Sequence, residues 1–256
     1  MLGAICGDVI GSVYEGHNVK SKQFPLFSKK TRFTDDTVLT VAVADAILNK
    51  KYFGPTIHRY SSQYPKAGFG GKFREWMKSK HPKPYGSYGN GSAMRVSPIG
   101  FAFDSISDVM TMAEKTSNIS HNHPDAIKGA QAIAVSIFLA RNGKSKSEIK
   151  SHIETEFGYD LNRTIDSIRQ TYKFDVSAKG SVPEAIIAFL ESTDYEDAIR
   201  TAISIGGDSD TIACMCGGIS EAYYKTIPAD IVDKVKKLLP PNFLTVIDEF
   251  YQKVVK

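Results

Sequence analysis

Apolar residues recur along the chain at helical spacing, and the strict alternation of a half-buried strand is scarce. The clearest runs are Val38-Leu39-Val41-Ala42-Ala46-Ile47-Leu48 and residues 126–140, 182–190, 198–205 and 212–224. Helix-start signals accompany them: His123-Pro124-Asp125 puts a proline and an acid in a first turn, and Ser181-Val182-Pro183-Glu184 predicts another start near Ser181. Between the runs lie glycine- and proline-rich connections: Phe53-Gly54-Pro55, Ala67-Gly68-Phe69-Gly70-Gly71, and residues 81–91 ending Tyr88-Gly89-Asn90-Gly91. The last is rich enough in glycine and tyrosine to bring backbone amides and an aromatic face to a ligand. No internal repeat or shift in composition divides the sequence. The pattern predicts an all-α protein with one domain over residues 1–256.

Composition narrows the function classes. A formal charge of +4 without a run of five Lys or Arg gives no sign of a nucleic-acid arm or a polybasic membrane patch. The longest apolar stretch, 126–140, is broken by Lys128 and Gln131 and falls short of the roughly 18 residues a membrane span needs. Cys6, Cys214 and Cys216 are odd in number and lack metal-ligand spacing, so they read as buried thiols of a reducing compartment. The N-terminus has no positive region and meets Asp8 too early for a signal peptide. A cytoplasmic protein is the expectation.

Two acidic clusters carry the candidate chemistry. Thr34-Asp35-Asp36-Thr37 and Gly206-Gly207-Asp208-Ser209-Asp210-Thr211 each precede an apolar helix, where threonine and aspartate cap free amides and favour the helix dipole. Either alone is explained as a cap. Together they hold four carboxylates, more than two caps require, and like charges in a dry site raise one another's pKa unless a cation sits among them. Carboxylates and hydroxyls are the oxygen ligands that Mg²⁺ or Mn²⁺ takes. Gly206 and Gly207 fit either a close approach of a metal-bound ligand or a plain tight turn. Gly3, Gly7 and Gly11 share one helical face and predict close helix packing, and Asp8 beside them reads as a structural acid.

The ordered set Gly3-Ala4-Ile5-Cys6-Gly7-Asp8-Val9-Ile10-Gly11 leading to Glu15, Phe33-Thr34-Asp35-Asp36-Thr37, Gly89-Asn90-Gly91-Ser92-Ala93-Met94-Arg95, Ser120-His121-Asn122-His123-Pro124 and Gly206-Gly207-Asp208-Ser209-Asp210-Thr211 resembles the ADP-ribosylglycohydrolases. The resemblance implies a compact orthogonal multi-helix bundle and two Mg²⁺ ions, with Mn²⁺ as the alternative. It implies Thr34, Asp35, Asp36, Asp208, Asp210 and Thr211 as ligands and Ser209 as a spacer. It makes Glu15, on a movable loop, a catalytic candidate beside Asp36 and Asp210. Gly89, Asn90, Gly91, Ser92, Met94 and His121 become the expected substrate contacts, with His121 favoured over His123. Arg95 is left between a phosphate clamp and a structural salt bridge, and Tyr85 and Tyr88 between adenine stacking and packing. The chain is short for the family, trimmed between Thr37 and Gly89, so the acceptor side of the pocket stays open.

The implied activity is removal of ADP-ribose from a modified arginine or serine side chain, or from a small-molecule conjugate, by a monomer. A rival is a Mg²⁺-dependent phosphohydrolase, because Asp-x-Asp-Thr also occurs in phosphoryl-transfer sites. That chemistry wants the motif after a strand, whereas residues 198–205 read as helix. A second rival is a non-catalytic ADP-ribose-binding protein, against which the intact acids speak.

Overall fold

The computed structural model of the chain describes residues 1–255. Its helices are α1 (Leu2–Gly11), α2 (Asp35–Leu48), α3 (Phe53–Gln63), α4 (Gly71–Lys78), α5 (Ser97–Ala102), α6 (Ile106–Ser117) and α7 (Pro124–Arg141). They continue with α8 (Lys146–Phe157), α9 (Ile165–Thr171), α10 (Ala178–Glu191), α11 (Tyr195–Ser204), α12 (Ser209–Tyr224), α13 (Ala229–Lys236) and α14 (Pro241–Lys253). No strand occurs among the described residues; an isolated antiparallel bridge pairs Gly89 with Ser177. The all-α expectation is met, and helix periodicity located α2, α7, α10, α11 and α12, while α6, α8 and α14 were not among the runs it picked out.

Amphipathicity separates centre from periphery. α2, α10 and α12 are buried along nearly their whole length, which is why their apolar runs lack a polar stripe. α3, α4, α13 and α14 bury one face each. Local caps fix the starts: Ser105, Thr164, Ser177 and Asp194 each accept a bond from a first-turn amide, and Ser145 forms a full capping box with Glu148. His123 caps α7 with Pro124 at its first position, as its sequence signal indicated.

The start expected near Ser181 is displaced. α10 begins one turn earlier because the Ser177 hydroxyl accepts from Gly180 N at 3.1 Å, leaving Pro183 inside the helix. A proline there gives up one backbone bond, and the buried packing of Val182, Pro183 and Ala185 through Phe189 offsets that loss.

The glycine stripe positions the site. α1 and α12 form the most extensive helix pair of the fold. A Cβ on Gly3, Gly7 or Gly11 would come within 2.5 Å of the backbone of α12 at Gly217, Ala213 and Asp210 respectively. Backbone-to-backbone approach of this kind brings the acidic start of α12 against Asp8 of α1, and Asp8 in turn ties down the start of α2.

Candidate metal centre and cleft

The first turns of α2 and α12 converge beside α1. Asp8 accepts from Thr34 N at 3.0 Å, Thr34 Oγ1 at 2.6 Å, Thr37 N at 3.2 Å and the Thr37 hydroxyl. Four donors to one buried carboxylate make it the brace between α1 and α2, the structural acid of the sequence reading. Thr34 caps α2, its oxygen accepting from Asp36 N at 3.4 Å. Across 175 positions, the Thr211 hydroxyl donates to Asp36 Oδ2 at 3.3 Å. Asp208 caps no amide with its side chain; instead its Oδ2 accepts from Asn90 Nδ2 at 2.7 Å.

Two triads of carboxylates result. Oxygens of Asp8, Asp36 and Asp210 lie within 4.8 Å of one another, as do those of Glu15, Asp208 and Asp210. Asp36 is 2% exposed, and its Oδ1 has no hydrogen-bond partner. Burial, followed by the charges of Asp8, Asp35 and Asp208, pushes Asp36 well above the carboxylate range. Burial and Asp36 do the same to Asp210. Asp35, half-buried at the cleft wall, is pushed up to about 8 by burial and then by Asp8. Asp208 is raised by burial against the opposing bond from Asn90, and Glu15 by burial and then by Asp208.

Magnitudes decide between cap and cation site. Two unit charges 4.8 Å apart repel by about 3–4 kcal/mol at an effective dielectric near 20. A helix N-terminus returns about 0.3–2 kcal/mol per carboxylate. Capping therefore cannot offset the repulsion in this cluster. A hard cation or added protons must, and an orphaned buried carboxylate oxygen facing other carboxylates is the donor set that suits a cation.

The centre opens into a cleft of about 340 Å³. Glu15, Asp35, Asp36, Asp208, Asp210 and Thr211 form its acidic floor, and Gly89, Asn90, Gly91, Met94 and His121 one wall. The structure thus brings together all the sequence-selected residues except Ser92. Ser92 is wholly buried and donates to Ala126 O at 3.0 Å, so its side chain supports the loop from behind rather than facing a ligand. His123 serves as helix cap, while His121 lines the cleft. Tyr85 also lines it, whereas Tyr88 is 59% exposed and sets its ring edge-on to His123.

Arg95 fits neither role proposed for it. It is wholly buried, outside the cleft lining, and forms no ion pair among the described residues; it donates to Thr116 O at 2.6 Å and Ser120 Oγ at 3.2 Å. Gly206 and Gly207, both at positive φ, make the tight turn of the plainer reading. Substituents there would meet Lys20, Asn18 and Tyr172, none of which lines the cleft. The opposite wall, Ala67, Gly68, Gly70, Gly71, Lys72 and Phe73, was not selected from the sequence, nor were Arg32 and Val176. Its signal was the glycine cluster at 68–71, where Gly68 at φ +119° stands so near Asp35 Oδ1 that a Cβ would lie 2.9 Å away.

The ADP-ribosylglycohydrolase family profile matches residues 1–256. The chain belongs to the ADP-ribosylglycohydrolase family. It is 29% identical to human ADP-ribosylhydrolase ARH3 over 304 residues, covering 88% of this chain and 84% of that one, and 30% identical to the mouse protein of the same name over 88% and 82%. An uncharacterized protein of Archaeoglobus fulgidus is 26% identical over 100% of this chain and 97% of its own. A solved chain of an ADP-ribosylglycohydrolase-related protein complex superposes with a TM-score of 0.73 at 21% identity, covering 98% of this chain and 96% of that one. The fold is therefore that of the family, and the chain is a hydrolase of the ADP-ribosylglycohydrolase type. The aligned span with human ARH3 exceeds the 256 residues present here, so that relative carries segments this chain lacks. Helix α11 precedes the Asp208 cluster, which removes the strand a phosphoryl-transfer reading required. No helix among the described residues is long and apolar enough to cross a membrane.

Proposed function

We propose that this chain, a single domain over residues 1–256, is a Mg²⁺-dependent hydrolase that releases ADP-ribose from a modified arginine or serine side chain or a related conjugate. The observation that carries the reading is the unpartnered Asp36 Oδ1 among five further carboxylates, Asp8, Glu15, Asp35, Asp208 and Asp210, at the floor of a glycine-walled cleft. Thr34, Asp35, Asp36, Asp208, Asp210 and Thr211 would hold two cations. Those ions would offset the clustered charge and polarise the hydroxyls of the distal ribose.

The protein's own groups then divide the work. Asn90 fixes Asp208 through its amide, and the backbone of Gly89 and Gly91 offers a surface without side chains for the diphosphate. His121 contacts the distal part of ADP-ribose. Water adds to C1″ of the distal ribose as its bond to the acceptor nitrogen or oxygen breaks, and the acceptor leaves carrying a proton. With Asp36 and Asp210 engaged by cations, Glu15 would be the carboxylate left to take the proton from the water and pass it to the leaving acceptor; burial, and then Asp208, raise its pKa. Three buried free cysteines suit a reducing compartment, and we place the protein in the cytoplasm as a monomer.

A panel of ADP-ribosyl-arginine, ADP-ribosyl-serine and small-molecule conjugates, read by mass spectrometry with Mg²⁺ and with EDTA, tests the reading. Free ADP-ribose from at least one linkage, only with the metal, is expected. Binding of ADP-ribose without turnover of any linkage contradicts it.

A further inference from the structure

A wholly buried arginine without a carboxylate partner calls for a physical reason. Arg95 keeps Nε and Nη1 without hydrogen-bond partners, and one bond to the C-terminal turn of α6 through Thr116 O does not require a charged side chain. Its remaining bond runs to Ser120 Oγ, and Ser120 Oγ lies 2.8 Å from His121 Nδ1.

Donor and acceptor roles in this chain can be assigned. Arginine only donates, so Ser120 Oγ accepts from Arg95. Ser120 is wholly buried, and among the described residues the one acceptor bonded to its hydroxyl is His121 Nδ1. If His121 carried the proton on Nδ1, the Ser120 proton would be buried without a partner, costing roughly 1–3 kcal/mol. Nδ1 is therefore bare and the ring proton sits on Nε2. That nitrogen faces the ligand loop: a Cβ on Gly91 would lie 2.9 Å from it and one on Gly89 3.7 Å. The backbone that carries the ring is held, His121 N donating to Ser117 O at 2.8 Å while Ser117 Oγ donates to His121 O at 2.8 Å, and the ring itself is bounded by Ser120 Oγ at Nδ1 and by the Tyr85 ring 5.9 Å away.

We propose that Arg95 and Ser120 are positioning residues that hold His121 in the Nε2–H tautomer, presenting one fixed donor to an acceptor oxygen of ADP-ribose bound beside Gly89 and Gly91. This rests on the ADP-ribose reading of the cleft. Burial, and then the nearby Arg95 charge, holds His121 well below the ordinary imidazole range, so the ring is neutral and acts as a donor rather than as an acid or base of the reaction. Arg95 itself stays charged at neutral pH, burial lowering it only to about 10. Gly91 acquires a second purpose here, since a Cβ there would crowd the imidazole, 2.9 Å from Nε2 and 3.2 Å from Cε1.

The test begins on ligand-free protein. Long-range proton–nitrogen correlation spectra of histidine-labelled protein resolve the six histidines, and the signal lost in His121→Gln identifies the ring. A bare Nδ1 and protonated Nε2 at neutral pH are expected; an Nδ1–H ring or an imidazolium overturns the inference. Ser120→Ala should give a mixed tautomer and about tenfold weaker binding of ADP-ribose by calorimetry, with Ser120→Thr close to wild type. Unchanged tautomer and affinity in Ser120→Ala overturn it. Arg95→Met should raise the His121 pKa above its wild-type value, with burial still holding it below the ordinary imidazole range; should that variant not fold, the Ser120 pair decides. Wild-type protein that binds no ADP-ribose at all would sink the functional reading instead, with the tautomer still measurable.

Discussion

The Thr211 hydroxyl donates to Asp36 Oδ2 at 3.3 Å, joining the first turns of two helices through residues 175 positions apart in sequence. That bond leaves Asp36 Oδ1 bare, and a bare buried carboxylate oxygen among like charges is an arrangement selected for binding rather than for stability.

Removing one of these charges should therefore separate stability from function. Asp36→Asn is expected to abolish turnover while raising the melting temperature in EDTA, by about 2–4 °C for each kcal/mol of repulsion relieved. Added Mg²⁺ should stabilise the wild type and leave the variant unmoved. A variant that melts lower than wild type in EDTA contradicts the electrostatic account.

The same cluster predicts a pH dependence for the metal-free protein. Asp35, Asp36, Asp208 and Asp210 all have raised folded pKa values, Asp35 reaching about 8. A carboxyl of this kind contributes stability that is full below its unfolded pKa and is lost as pH rises toward the folded one. In EDTA, stability should fall from about pH 4 toward pH 8, and the stabilisation by divalent cation should grow over the same interval. Calorimetric melts across that range check it; a metal-free protein that gains stability toward pH 8 contradicts it.

Packing of α1 on α12 gives a third prediction. Gly7→Ala sets a methyl group into the Ala213 carbonyl and should cost about 1–3 kcal/mol in urea denaturation, with loss of cation binding as the helices part. Gly54→Ala, outside the cleft and with an added Cβ only in ordinary contact with Ile119 at 3.7 Å, is the control and should fold and bind as wild type. Equal stability of Gly7→Ala and wild type would rule out backbone contact between the two helices.

The loop that bears Glu15 is held by its neighbours. Asn18 accepts from Gly207 N at 2.8 Å and donates to Gly207 O at 3.0 Å, and Lys20 donates to Ile205 O at 2.6 Å. Asn18→Ala should speed amide exchange at residues 15–20 by about fivefold, the factor that about one lost kcal/mol of local closure gives, and lower turnover with it. Exchange unchanged from wild type would mean that Asn18 does not hold the loop.

How much of this was legible beforehand depends on whether the cause is local. The starts of α2 and α7 could be read because proline, aspartate, threonine and histidine act on amides within a few residues, that of α12 from its apolar run although Asp208 caps no amide, and Gly3, Gly7 and Gly11 because a four-residue period defines a face. The start of α10 could not, since Pro183 carries the stronger local signal while Ser177 supplies the actual cap. Arg95 was misread because a charged residue suggests a charged partner, and its partners are a carbonyl and a hydroxyl brought in from residues 116 and 120. Ser92 and the 67–73 wall failed for the same reason: which way a loop side chain turns, and which loop lies opposite, are set by tertiary packing.

The acidic cluster between α2 and α12 is expected to hold cations. Crystals soaked in Mn²⁺ and measured for anomalous scattering should show metal among Asp36, Asp208 and Asp210, within bonding distance of Asp36 Oδ1. An anomalous map without a peak at the cluster, from a crystal with Asp35, Asp36, Asp208 and Asp210 all ordered, would contradict the central claim.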